Sequence, residues 1–167
     1  MLQNALAVFL AASAVYFGLS GVHSASAQQK NGKEAQIERG RYLVKVAGCN
    51  DCHTAGYAMT GGKIPESQWL LGDKLGWRGP WGTTYPVNLR LYMAPLSERQ
   101  WVHVAKKMET RPPMPWFALH DMTERDLKAI YTYVKHLGPA GERAPAFVPP
   151  EKEPQGPVVQ FPAPPKQ

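Results

Sequence analysis

Both cysteines of this chain fall in one short run, Cys49-Asn50-Asp51-Cys52-His53, so neither has a distant partner to cross-link with. A disulfide framework is excluded, and the 167 residues are expected to form one small domain around one core. A zinc site needs about four ligands, and no second pair of cysteines or histidines stands at ligand spacing. A thioredoxin-type dithiol needs a strand-helix-strand setting, which the pattern of apolar residues does not supply. The reading left for Cys-x-x-Cys-His is covalent attachment of one haem c. Thiols three positions apart on a helical turn can each add to one haem vinyl group, while the adjacent imidazole of His53 points at the iron.

Along the chain, the stretch from Ala5 to Val22 is apolar and uncharged and is followed by Ala25-Ser26-Ala27 ahead of Gln28. It reads as an export signal over residues 1–27, with a retained N-terminal anchor as the alternative, and either puts the domain in the periplasm. Residues 1–27 contain no charged side chain, so the net charge of +6 belongs to the remainder, which favours acidic docking partners. The basic residues form no run or stripe, so nucleic acid is not an expected partner.

From Glu34 to Val46, Ile37, Leu43, Val44 and Val46 recur at helical spacing, predicting a first helix that ends at Gly48 and delivers the cysteine motif. Gly40, midway along it, suits a close helix crossing, or is merely tolerated there. Residues 55–95 are punctuated by glycine and proline and read as loop, yet hold much aromatic surface that needs something large and flat to pack on. Ser97 with Gln100 predicts a capping box opening a helix over Glu98–Met108. Thr123 with Asp126 opens the last helix, Leu127, Ile130, Tyr131 and Val134 give its buried face, and Gly138-Pro139 stops it. Beyond Gly138 proline is frequent, and residues 139–167 read as an extended tail, or a strap laid on the domain or a partner.

The sixth iron ligand decides what such a haem does. Met114 is the first candidate, because Arg111-Pro112-Pro113-Met114-Pro115 cannot be helical and forms a stiff loop between two helices. Met93, Met108, Met122 and His120 are the other candidates. A thioether there raises the potential and closes the iron to small molecules. Trp77, Arg78, Trp81 and Arg90 are candidates to wall the haem and bind its propionates, the alternative being tryptophans in plain core and solvated arginines.

With these residues in place, the chain resembles the class I c-type cytochromes from about Glu34 to Leu137. More narrowly, Arg41-Tyr42-Leu43-Val44 through Cys49–Thr54, the run Tyr85-Pro86-Val87-Asn88-Leu89, and Pro113-Met114-Pro115-Trp116 are similar to cytochrome c domains associated with periplasmic dehydrogenases. The resemblance implies an all-α fold of about three main helices on one haem, over residues 28–138. It also implies that Cys49 and Cys52 bind the haem, with His53 proximal and Met114 distal. The function it implies is electron transfer, from a dehydrogenase or other respiratory donor to an oxidase or another cytochrome, with no catalysis by the chain itself. Two other readings stand beside it: a haem enzyme or gas sensor with a labile sixth ligand, and a permanent haem subunit of a dehydrogenase complex.

Overall fold

The computed structural model describes residues 31–162, so the expected export segment lies outside the described residues. Contacts divide the chain at Ala35 into two units; of the first, only 31–35, the opening of helix α1, are described. The rest of the fold belongs to the second unit.

Helix α1 covers 31–46 and turns Ile37, Leu43 and Val44 inward, while Val46 stays exposed. It stops short of Gly48, whose φ of 72° is left-handed and therefore suited to glycine. That break lets the motif form its own helical turn, α2 (Cys49–His53). Helix α4 (Glu98–Lys107) opens with the expected capping box, Ser97 and Gln100 satisfying each other's backbone N–H groups. Helix α6 (Glu124–Leu137) is capped by Thr123 and ends at Gly138, and it buries Leu127, Ala129, Ile130, Tyr133 and Val134, with Tyr131 only half-buried.

Gly40 is required where α1 meets α6. A Cβ there would collide with the Ala129 carbonyl and stand 2.6 Å from the Cβ of Tyr133. Helix α6 packs further on α4 and on α3 (Leu89–Met93), and α4 packs on α5 (Trp116–Asp121). The centre of this arrangement holds Trp69, Leu70, Met93, Trp101, Leu127 and Tyr133, each almost fully buried. Burial of a side chain of this size stabilises the fold by about 1.5–3 kcal/mol.

The helical expectation holds, with a small sheet added. Residues 55–95 are more ordered than their punctuation suggests. Strands β1 (Gly76–Gly79) and β2 (Gly82–Thr84) form an antiparallel hairpin with Trp77 opposite Thr84. Strand β3 (Val158–Gln160) runs parallel to β1 with Gly76 opposite Val158, giving the order β2-β1-β3. Among the described residues, no helix is long and apolar enough to cross a membrane.

Candidate haem site

The site starts from α2. Cys49 and Cys52 are free thiols, both half-buried, and Cys49 packs against the hydrophobic core. Burial pushes the Cys49 thiol up to about 11 and raises Cys52 as well, so neither is a reactive thiolate. Among the described residues, no three His, Cys, Asp or Glu side chains converge to hold a bare metal ion.

His53 is buried, and burial lowers its pKa although the bond to Val87 opposes that shift. Its Nδ1 lies 2.7 Å from the Val87 carbonyl oxygen. A carbonyl can only accept, so Nδ1 carries the proton and Nε2 keeps its lone pair, as a metal-ligating imidazole requires. The motif is also pinned from behind. The Gly72 N–H donates to the His53 carbonyl at 2.8 Å, and the Thr54 hydroxyl donates to Asn50 while accepting from the Leu70 N–H, both at 2.8 Å. Leu70 is fully buried at φ 62°, an unfavourable conformation for a leucine that these bonds sustain. The donor set therefore fits a covalently held haem: two unpaired thiols on one helical turn, and an imidazole with its tautomer fixed.

Met114 lies half-buried in the loop between α4 and α5 and packs against the core. Its carbonyl accepts from the Trp116 N–H at 2.9 Å, and the Thr84 hydroxyl of the hairpin donates to the Pro112 carbonyl at 2.8 Å. Of the other candidates, Met93 is fully buried in α3, and Met108 and Met122 are C-caps of α4 and α5. The ring of His120 lies 5.0 Å from that of Trp116, with its Nε2 donating to the Met108 carbonyl at 3.0 Å.

The four residues considered for the haem wall are placed differently from one another. Arg90 is buried, and its guanidinium donates through Nε to Gly138 at 2.5 Å, Nη1 to Ser67 at 2.9 Å and Nη2 to Leu137 at 2.5 Å. Two of these acceptors stand at the C-terminal end of α6, where carbonyls lack helical partners, so the guanidinium ties that helix end to Ser67. Arg78 donates to the Lys152 carbonyl and pairs with Glu153 at 2.9 Å. Trp77 and Trp81 both pack on Phe161, at 5.9 and 5.3 Å between ring centroids. Arg78 and the two tryptophans thus hold the C-terminal segment. Trp81 keeps one feature suited to a haem carboxylate: its Nε1–H is buried without a partner, as is the Thr83 hydroxyl beside it.

Sequence reasoning missed Val87, Thr84 and Asn88. The first acts through its carbonyl, which no side-chain pattern reveals. Asn88 caps α3 and donates to the Ala140 and Glu142 carbonyls at 2.8 and 3.1 Å; its signals were the resemblance of the run Tyr85–Leu89 and an Asn just before an apolar run.

Comparison with known proteins agrees with this geometry. The cytochrome c subunits of quinone alcohol dehydrogenases from Gluconacetobacter polyoxogenes and Komagataeibacter europaeus are each 28% identical over 125 residues, covering 68% of this chain. The matched region is 24% of those subunits, so the chain spans about a quarter of their length. No solved structure matches it. The profile of the cytochrome c family matches residues 37–138, which include α2, the Val87 carbonyl and Met114. The chain belongs to the cytochrome c family, as a class I c-type cytochrome with covalently bound haem c that serves electron transfer.

Proposed function

We propose that this chain carries a single haem c, held by Cys49 and Cys52 through thioethers and by His53 and Met114 as axial ligands, and that it takes electrons from a periplasmic dehydrogenase. When bound, that group supplies a one-electron iron couple. The observation that carries the proximal ligand is the His53–Val87 bond, which leaves Nε2 free to ligate. The residues of the chain orient the imidazole, pack the core around the motif and keep water from it. The chain itself catalyses no reaction: a methionine in the sixth position leaves no site for a substrate. Trp81 is the residue of the hairpin we assign to a propionate, on its buried, unpartnered Nε1–H.

The donor assignment rests on the relatives, which are named as subunits of quinone alcohol dehydrogenases. That name also favours a second reading, in which the chain is a permanent subunit of such a complex. Residues 1–27 direct export in either case, residues 28–138 form the haem domain, and 139–167 form a proline-rich extended tail. The acceptor is an oxidase or another cytochrome, met through a small, salt-sensitive contact that the basic net charge of +6 favours.

An absorption spectrum of the ferric holoprotein tests the ligands. The weak near-infrared band of methionine-to-ferric charge transfer is expected, with its loss in Met114→Ala and a gain of carbon monoxide binding by the ferrous variant. A band unchanged in Met114→Ala overturns the distal assignment. Co-purification of the native chain with a dehydrogenase through high salt separates the permanent subunit from the mobile carrier.

A further inference from the structure

The C-terminal segment does more than lie on the hairpin. Thr83 and Val148 exchange both backbone hydrogen bonds, at 2.7 and 3.0 Å, and this brings Phe147 over Gly82. Gly82, at φ 99°, is the residue that permits the approach: a Cβ there would collide with the Val148 carbonyl and stand 2.9 Å from the Phe147 ring. The Phe147 ring also takes the Arg111 guanidinium, whose Cζ lies 3.9 Å from the ring centroid. Arg111 opens the loop Arg111-Pro112-Pro113-Met114-Pro115, and the next residue, Pro112, accepts the Thr84 hydroxyl at 2.8 Å. Prolines 112, 113 and 115 have no N–H to donate, so this loop depends on contacts from outside. Further along, Phe161 against Trp77 and Trp81, and Glu153 against Arg78, hold the same segment to the same hairpin.

We propose that Phe147 is a positioning residue for Met114: the C-terminal segment and the hairpin latch the loop through Arg111 and Pro112, and so set how firmly the sixth position of the iron is closed. The inference rests on the reading of Met114 as distal ligand and adds what governs the persistence of that bond. Stacking fixes Arg111 three residues ahead of Met114, and the Thr84 hydroxyl fixes Pro112 two residues ahead, so the thioether has one short stiff span in which to move. Release of either tether widens that span, and an outside ligand then competes better.

The test uses the full-length ferric holoprotein titrated with imidazole, with the near-infrared band followed in parallel. Phe147→Ala is expected to raise the apparent imidazole affinity about two- to fivefold, the order set by loss of one exposed cation–π contact. Phe147→Tyr, which keeps the ring, is expected to restore it. Arg39→Ala, which breaks the 2.9 Å ion pair with Asp126 between α1 and α6, is expected to lower stability without changing the affinity. Should Phe147→Ala not fold, Thr84→Val removes the second tether without changing side-chain shape and is expected to act in the same direction. Imidazole affinity unchanged in Phe147→Ala, or in Thr84→Val where that stands in, while Met114→Ala raises it, overturns the latch alone. An intact band in Met114→Ala overturns the ligand assignment, and the latch with it.

Discussion

The Nδ1–H of His53 donates to the carbonyl of Val87, 2.7 Å away, and the next residue, Asn88, is bonded on three sides. Its side chain accepts from the Leu91 N–H at 3.0 Å and donates to the Ala140 and Glu142 carbonyls. The acceptor that orients the imidazole is thus held by a helix cap and by the chain beyond α6. A carbonyl so fixed keeps its partner ring in one tautomer and one orientation, and raises the basicity of the opposite nitrogen.

Asn88→Ala is therefore expected to do two things. Loss of a helix cap and of two buried hydrogen bonds lowers stability by about 2–3 kcal/mol. Slackening of the Val87 carbonyl weakens the bond to Nδ1, makes Nε2 a poorer donor to ferric iron and raises the reduction potential. Denaturant unfolding and a redox titration read the two effects separately.

At the crossing of α1 and α6, Gly40→Ala distinguishes packing from helix propensity. In an uncrowded helix the change gains roughly 0.5–1 kcal/mol. Here the new Cβ meets Ala129 and Tyr133, and overpacking costs about 1–3 kcal/mol. A lowered melting temperature is the expected outcome; a raised one would mean that the helices part without penalty.

The residues that sequence could place are those with a signal of their own. The spacing of Cys49, Cys52 and His53, the capping box at Ser97 and the cap at Thr123 are local chemistry, and each stands where its pattern puts it. Helix α3 has five residues and α5 six, too few for a period to register. Strands Gly76–Gly79 and Gly82–Thr84 lack alternation, and β1 takes a neighbour from residues 158–160, a pairing no local pattern announces. Arg90 could not be placed from sequence for a related reason. Its residue type suits a carboxylate, but α6 ends beside it with unfilled carbonyls, and tertiary structure decides between the two uses.

Arg90→Lys follows from that placement. An ammonium is a point charge and cannot span three carbonyls, so the variant is expected to lose about 2–4 kcal/mol of stability. The reduction potential is expected to stay nearly unchanged, since the guanidinium is engaged at the end of α6. A large shift in potential with full stability would reverse the assignment.

Glu66 is a carboxylate whose folded environment favours its charged form. Its carboxylate accepts from the Arg41 Nε on α1 and from the Tyr133 hydroxyl on α6, each at 2.8 Å. Partial burial pushes its pKa up, but the two hydrogen bonds and the charges of Arg41 and His136 outweigh that, so it lies below the ordinary value of 4.5. A group depressed in the folded state binds more protons when unfolded. Its contribution is complete above the ordinary value and is lost as pH falls through the folded one. Glu66→Gln is expected to lower stability at neutral pH by about 1–2 kcal/mol, the scale of a charged hydrogen bond. Between about pH 5 and pH 3 the native chain is then expected to lose stability faster than the variant, and the two curves to converge. Parallel curves over that range would show that Glu66 does not carry the acid transition, and would move it to Asp126, whose carboxylate the Arg39 guanidinium likewise holds low.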